Sequence, residues 1–313
     1  MRTTINNFRV LVPLESLAKR LICSFCGSSE CKVVGRLENE LTIHLVECIN
    51  CALVSTDHIP TADFLEKYYT EKFPEFVEKY NSKVETSVTF SNPDRFASRL
   101  ATLLSLDAIH SPSFKILDFG GGDGSLALAF SSNLSQTTLV EITVIDFGSS
   151  VVKSKSPNVS IRKLPSIPRS EKFDLIIASA SLEMLPNFGQ TLALLLNALN
   201  DQKSNVYVRT NYIQPLRRLF PFLDFAFPAH LHDIGSDFWS QFAQLEKTRY
   251  EVKRSETPIS ELDFKRFPIR YLIVTFLKLP SRLEAKLFPF KLKRYWKYVG
   301  SWEVVVGLRT KNL

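Results

Sequence analysis

The sequence lacks a long apolar run. In 313 residues, the longest late stretch is Tyr271 to Leu277, far short of the roughly 20 residues that a membrane-spanning helix needs. No apolar signal segment follows Met1, because polar and charged residues interrupt every apolar run before Cys23. We therefore expect a cytoplasmic protein, in which thiols are metal ligands or free groups more often than disulfides.

Glycine is also scarce, with only 11 residues in a chain that is 45% apolar, and this composition excludes fibrous and disordered classes. Lys115 to Gly124 reads K-I-L-D-F-G-G-G-D-G, and Ser125 then begins an alanine- and leucine-rich helix. The pattern predicts a strand, a glycine turn and a helix start whose free N–H groups can bind a ligand. The dinucleotide fingerprint G-x-G-x-x-G is absent. Taken alone, the turn is equally consistent with a tight bend.

Only five cysteines occur, and four of them form two C-x-x-C pairs separated by 21 residues. Cys23 and Cys26 make the first pair, and Cys48 and Cys51 make the second. This spacing predicts a zinc ribbon with a structural, fully coordinated Zn²⁺, because two such turns bring four thiolates to one tetrahedral ion. Cys31 is a spare thiol in this interpretation, and His44 and His58 are out of register with the four ligands.

Strand and helix patterns alternate after the ribbon, which predicts an α/β fold with a mostly parallel sheet and helices on both faces. We expect helices at Pro93 to His110 and Phe188 to Leu199. We expect strands at 114–118, 139–146, 159–164, 173–179 and 205–209, then at 249–257 and 301–309. Ligands bind at the carboxyl ends of the strands in such sheets, where the glycine turn lies.

The same patterns predict the domain organisation. A zinc ribbon occupies 1–60, a linker helix lies within 61–92, and the α/β domain occupies 93–313 with a basic insertion at about 260–300.

Several motifs resemble those of class I methyltransferases dependent on S-adenosylmethionine (SAM). They are the turn Asp118-Phe-Gly-Gly-Gly-Asp-Gly124, the strand-end acid Asp146, Phe173 to Ser179 and Leu182-Glu-Met-Leu-Pro186. The resemblance implies a Rossmann-like sheet of seven strands and SAM as cofactor. It implies that the cofactor-binding residues are Asp118, Phe119, Gly120, Gly121, Gly122, Gly124, Asp146, Phe147 and Ser179.

A second resemblance is to sugar C-methyltransferases, which carry a zinc module ahead of this domain. Three segments carry this second resemblance: Cys48 to Val54, the Tyr68-Tyr69 helix and Phe227-Pro-Ala-His230-Leu-His232-Asp233. It implies a small or carrier-linked sugar or glycan acceptor and His230 as the base. His232 and Glu183 are further catalytic candidates. Ala229 and Met184 depart from the family pattern, so a SAM-binding scaffold without catalysis stays an alternative.

Positive charge is concentrated near the C-terminus, where residues 264–313 hold twelve Lys or Arg against Glu284 and Glu303. Within this C-terminal segment, residues 264–298 include many apolar and many basic side chains. Three interpretations stay open: a helical cap over the active site, peripheral contact with an anionic membrane, and nucleic-acid binding. An RNA methyltransferase is the alternative enzyme, but the ribbon has more acidic than basic residues, and nucleic acid is therefore the less favoured partner.

Overall fold

The computed structural model describes residues 12–37, 42–72, 92–104, 111–147, 151–221, 223, 225–260, 264 and 268–309. The strands are β1 (Leu17–Lys19), β2 (Cys31–Leu37), β3 (Ile43–Cys48), β4 (Val54–Thr56), β5 (His58–Pro60), β6 (Ser113–Phe119), β7 (Leu139–Ile145), β8 (Val159–Leu164), β9 (Leu175–Ser179), β10 (Asn205–Tyr212), β11 (His232–Asp233), β12 (Tyr250–Glu256) and β13 (Gly300–Leu308). The α-helices are α1 (Ala62–Lys67), α2 (Pro93–Leu104), α3 (Ser125–Ser131), α4 (Phe188–Asn197), α5 (Gln214–Leu219), α6 (Ser236–Leu245) and α7 (Pro268–Leu287). Short 3-10 turns cover Leu14–Ser16 and Leu182–Met184, and a π turn covers Tyr68–Lys72.

The main sheet has seven strands in the order β12-β13-β10-β9-β6-β7-β8. The five strands from β10 to β8 are mutually parallel, whereas β13 runs antiparallel to both β10 and β12. The predicted Rossmann-like α/β sheet of seven strands is confirmed, and its one antiparallel strand is the last, β13. Its strand order reverses between β6 and β9, which is where such sheets bind ligands.

Two apolar layers cover the sheet. On one face, α2 and α3 pack over the strands, because α2 repeats apolar residues at helical spacing, with Phe96, Leu100 and Leu103 all buried. On the other face, Phe188 of α4 and Trp239 of α6 belong to the larger buried cluster. This arrangement leaves the carboxyl edge of the parallel strands to the loops.

The cysteine-rich segment forms a second sheet with the order β11-β4-β3-β2. Its outer strand β11 comes from the α/β part of the chain, and His232 pairs with Ser55 while Asp233 pairs with Val54. The segment therefore shares a sheet with the loop that carries the two candidate histidines. A separate pair, β1 and β5, is antiparallel.

Several predicted boundaries differ from those observed. We expected a helix from Pro93 to His110. Its described part ends at Leu104, and residues 105–110 lie outside the described residues. The helix from Phe188 ends at Asn197, where Ala198 N–H bonds close the last turn. In the described part of the basic insertion, one long helix, α7, is present. Within the described ranges, no helix combines the length and apolar character that crossing a bilayer requires.

Candidate active site

The glycine turn after β6 has a backbone that only glycine accepts without strain. Gly120, Gly122 and Gly124 have φ angles of 66°, 60° and 82°. A Cβ on Gly120 would lie 2.5 Å from the Cβ of Ser181, and a Cβ on Gly121 would lie 2.2 Å from Cγ of Asp118. Gly120 N donates to Ile145 O at the end of β7 (2.8 Å), which joins the turn to the neighbouring strand. The turn is therefore a fixed cradle at the switch point of the sheet.

Asp118 lies under this cradle with its carboxylate away from solvent. Only 1% of the residue is exposed, and within the described part of the chain its Oδ2 atom has no hydrogen-bond partner. Burial raises the pKa of the Asp118 carboxyl to about 7, and the nearby carboxylates of Asp146 and Asp123 add to the rise. A buried oxygen of this kind is suited to a cationic ligand group, which would compensate its desolvation.

The raised pKa predicts a pH-dependent gain in stability for Asp118→Asn. Because the folded-state pKa lies above the ordinary value, the wild type loses stability as pH rises from about 4 to about 7, by up to about 4 kcal/mol. Asparagine carries no such penalty, so its unfolding free energy relative to wild type is expected to increase by about 2 to 3 kcal/mol between pH 5 and pH 8.

Urea unfolding at the two pH values measures this difference. Glu141→Gln is the matched control, since Glu141 lies half exposed on β7, where its carboxylate forms a surface ion pair with Lys115. A difference between Asp118→Asn and wild type that stays constant with pH would contradict the assignment.

Asp146 and Phe147 follow β7 at the same edge. Asp146 Oδ2 accepts a hydrogen bond from Gly122 N (3.0 Å), and its side chain keeps 25% exposure. The Phe147 ring beside it is 77% exposed. The two residues therefore place a carboxylate and an open aromatic face next to the glycine turn.

Lys163, near the end of β8, is a residue that the sequence analysis missed. Its Nζ donates to Gly122 O (2.9 Å) and lies 3.9 Å from Asp146 Oδ1. The sequence signal for Lys163 was its position in the predicted strand. It comes two residues after Ile161 and is therefore on the same face of that strand. Lys163 fixes the turn and its acid together.

Ser179, predicted to contact the cofactor, is buried at the end of β9. Its Oγ accepts a hydrogen bond from Nε of Arg209 (2.8 Å), a second residue absent from the sequence prediction. The Arg209 guanidinium lies 5.0 Å from the centre of the Phe96 ring, and only 4% of the residue is exposed. The Ser179 hydroxyl therefore has an internal partner in this structure.

Glu183 lies in the 3-10 turn Leu182–Met184 and is 2% exposed. Its Oε1 accepts from Asn211 N (3.1 Å), and its carbonyl oxygen accepts from Leu231 N (2.8 Å). Glu183 thus connects the end of β10 to the histidine loop, which makes it a positioning residue in this geometry.

The two candidate histidines have different surroundings. His232 is fully buried, its Nε2 donates to Leu185 O (2.9 Å), and its Nδ1 is 2.8 Å from Ser55 Oγ. Burial holds its pKa well below the ordinary value, and the charge of Arg20 lowers it further. Both ring nitrogens are engaged by protein atoms, so His232 joins the loop to the ribbon sheet and has no nitrogen left to act as a base.

His230 retains an available ring nitrogen. Its Nδ1 is buried and has no hydrogen-bond partner among the described residues, and burial lowers its pKa to about 4. The backbone holds the residue in place, since His230 N donates to Ala226 O and Tyr69 Oη donates to Ala229 O (3.1 Å). The imidazole is neutral at pH 7, which is the state that accepts a proton.

The four predicted cysteines converge. The Sγ atoms of Cys23, Cys26, Cys48 and Cys51 all lie within 4.8 Å of one another, and the Cys23–Cys51 and Cys26–Cys48 pairs are both 3.5 Å apart. A tetrahedral zinc with bonds of about 2.3 Å has ligand sulfurs about 3.8 Å apart, so the cluster fits this ion. The fifth cysteine, Cys31, is exposed and outside the set. His44 and His58 instead hydrogen-bond Asp57.

The cysteine cluster is packed against the α/β core. Phe25, between the first two cysteines, contacts the rings of Phe188, Phe238 and Phe242. Gly189 N donates to Ser24 O (3.1 Å), and a Cβ on Gly189 would lie 2.3 Å from that oxygen. The turn of Cys23 to Cys26 is therefore docked on the start of α4.

A family model described as a methyltransferase domain matches residues 81–244, which is just over half of the chain. No curated protein matches.

Similar solved structures include the plantazolicin methyltransferase BpumL with a monoazolic desmethylPZN analogue and S-adenosylhomocysteine (SAH). It is 15% identical over 79% of this chain and 94% of that chain, with a TM-score of 0.49. Coclaurine N-methyltransferase bound to N-methylheliamine and SAH is 14% identical over 68% of this chain and 71% of that chain, with a TM-score of 0.38. A cyclopropane-fatty-acyl-phospholipid synthase-like protein from Lactobacillus casei is 13% identical over 76% of this chain and 99% of that chain, with a TM-score of 0.40.

Proposed function

Since the chain belongs to the methyltransferase domain family and is a SAM-dependent enzyme, we propose that it methylates a small or carrier-linked sugar or glycan intermediate, with His230 as the base. Two features carry the proposal: a fixed glycine cradle and a neutral, half-buried imidazole. Both are in loops at the carboxyl edge of the sheet, since Leu231 N donates to Glu183 O just after β9.

The residues around the glycine turn fit SAM. The buried Oδ2 of Asp118 would compensate the positive amino group of the methionine part, and the Asp146 carboxylate would accept hydrogen bonds from the ribose hydroxyls. The exposed ring of Phe147 offers an apolar face to the adenine. When bound, SAM supplies a methyl group on a sulfonium that needs little activation, so the protein's task is mainly to orient the acceptor and remove its proton.

His230 is suited to that proton transfer. Its pKa of about 4 keeps it unprotonated at physiological pH, and its Nδ1 has no protein partner in the described chain. As the acceptor gains the methyl group, its proton would pass to Nδ1 of His230, and because burial disfavours the charged imidazolium, that proton would be released again readily. Glu183 would act indirectly, because it holds the loop through Leu231 and the end of β10 through Asn211.

The sugar or glycan acceptor rests on the resemblance of the ribbon and of the His230 segment to sugar C-methyltransferases. The structure supports the proposal by placing these two distant segments in one sheet through β11 and β4. The ribbon offers little for RNA, because Lys32 on its surface is paired with Glu47 (3.0 Å).

We also propose that the four cysteines hold one structural zinc ion. With four thiolates and no open position, such an ion would stabilise the ribbon and take no part in methyl transfer.

Loss of SAM affinity in Asp146→Ala tests the cofactor site. We expect the Kd for SAM to rise about tenfold to a hundredfold, because the charged hydrogen bonds to the ribose and to Gly122 are both lost. Isothermal titration calorimetry measures the Kd, and Glu141→Ala on the same strand should bind as the wild type does. A wild type that binds no SAM, or an Asp146→Ala variant indistinguishable from it, would sink the proposal.

A further inference from the structure

Helix α7 has its apolar side outward and its polar side inward. Seven side chains with exposed fractions from 44% to 74% repeat every three or four residues along it, and these residues form the α7 stripe: Ile269, Leu272, Ile273, Phe276, Leu279, Leu283 and Leu287. That spacing places them on one side of the helix. A helix resting on a protein core normally has the opposite orientation.

The inward side of α7 is held by polar contacts. Lys278 is 4% exposed, and its Nζ donates to Pro258 O and lies near Ser301 Oγ, both at 3.1 Å. Arg282 also donates to Pro258 O (3.2 Å), and Ser281 is fully buried. Since these bonds fix the rotation of the helix, the stripe cannot turn toward the core without leaving a buried lysine unpaired.

The charges beside the stripe indicate what covers it. Arg270 lies near the start of α7 and Lys286 near its end, and both are exposed. The acid of the helix, Glu284, is neutralised by Lys291 (2.9 Å) and accepts from Tyr295 N. An anionic lipid surface complements the charges of Arg270 and Lys286.

Exposed aromatic residues also follow the end of α7, where Phe290 lies beside Tyr250 and Arg309. Phe290 and Tyr295 are 95% and 85% exposed, and Lys291 Nζ lies 3.3 Å from the centre of the Tyr295 ring. An exposed apolar stripe with cationic residues on its flanks, as in α7, is typical of helices that lie in the interface of an anionic bilayer.

We infer that the α7 stripe is a docking surface for an anionic membrane, on which the protein lies without crossing it. The surface is at the same edge of the sheet as the glycine turn, because Lys278 contacts Ser301 in β13, and the start of β13 pairs with the end of β10. At its other end, Arg95 of α2 donates to Tyr271 Oη (3.3 Å). A membrane against the stripe would therefore lie beside the active-site opening, where an acceptor anchored in that membrane would arrive.

Sedimentation of the full chain with vesicles tests this inference. Phosphatidylcholine vesicles with about one third phosphatidylglycerol are compared with phosphatidylcholine alone, and the protein is expected to bind the anionic vesicles more tightly and to lose binding as salt increases. The double variant Leu272→Ser/Leu283→Ser should lower the partition coefficient at least about tenfold, because two leucines no longer enter the apolar phase.

Matched controls separate the stripe from general hydrophobicity and charge. Leu194 and Leu245 are 54% and 52% exposed on α4 and α6, and Leu194→Ser/Leu245→Ser should bind within about twofold of wild type. Lys286→Glu should lower binding to anionic vesicles about tenfold, whereas Lys203→Glu on a distant turn should not. All replaced side chains are exposed, so circular dichroism should show unchanged folding.

Equal binding by the two double leucine variants, or no vesicle binding by the wild type, would overturn the inference. A dimer that Leu272→Ser/Leu283→Ser converts to monomer, with no vesicle binding, would also overturn it and assign the stripe to a second copy. The Kd for SAM, measured on the same proteins, is expected to stay unchanged, so a failure here is distinguishable from a failure of the proposed function.

Discussion

Replacing His230 with glutamine is expected to lower kcat by about 10² to 10⁴, the usual contribution of a general base. The Kd for SAM should change by less than about twofold, because the hydrogen bonds among the described residues join His230 to Ala226 and not to the glycine turn. Turnover with the acceptor identified from labelled extracts, together with calorimetry for SAM, measures the two effects separately.

The pH profile adds a second criterion for His230. Because burial lowers its pKa to about 4, the wild-type imidazole is already unprotonated across the neutral range, and kcat should show no His230 inflection between pH 6 and pH 8. His232→Leu provides the contrast. It should reduce the unfolding free energy by about 2 to 4 kcal/mol, since it leaves Leu185 O and Ser55 Oγ without their partner. A His230→Gln enzyme with wild-type turnover would remove His230 from the mechanism.

Replacing Cys51 with serine is expected to unfold the ribbon and to lower the melting temperature by more than about 10 °C, because structural zinc contributes many kcal/mol to the folding of small modules. The loss should extend to methyl transfer. The cysteine cluster is buried against Phe188 and Phe238, and β4 of the ribbon pairs with β11 in the His230 loop.

Metal analysis and differential scanning calorimetry check this prediction. We expect one zinc per wild-type chain and none in Cys51→Ser. Cys31→Ser is the control, since Cys31 faces Cys48 across β2 and β3 but is exposed and outside the cluster. It should keep the zinc and change stability by less than about 0.5 kcal/mol. A Cys51→Ser protein with full stability, or a wild type indifferent to a strong chelator, would contradict the structural role.

The sheet and the cysteine site were predictable because local sequence determines them. The parallel strands β6, β7 and β9 are short and largely apolar, and the candidate cofactor residues Asp118 and Asp146 lie at the ends of β6 and β7. The two C-x-x-C turns needed only their own spacing to predict convergence. The seven strands and the four-cysteine cluster accordingly appear where the sequence placed them.

The surroundings of the candidate catalytic groups depend on contacts between distant residues, which one sequence does not reveal. Nothing in the sequence distinguishes His230 from His232. They differ in the structure because Ser55, 177 positions before His232, forms a hydrogen bond with the ring of His232. The partner of Ser179 is Arg209 on the adjacent strand. Lys163, in β8, approaches Asp146 at the end of the neighbouring strand β7. The apolar repeat of α7 can be read from the sequence. Its outward orientation cannot, because it depends on the hydrogen bond from the Lys278 ammonium to Pro258 O.

Incubation of the purified full-length protein with methyl-labelled SAM and a host extract, separated into lipid, sugar and RNA fractions, tests the central claim most directly. We predict label in a sugar or lipid-linked sugar fraction with wild type, and at least about tenfold less label with Asp146→Ala at a SAM concentration below the wild-type Kd. Label confined to RNA, or SAM binding with no label in any fraction, would contradict the account.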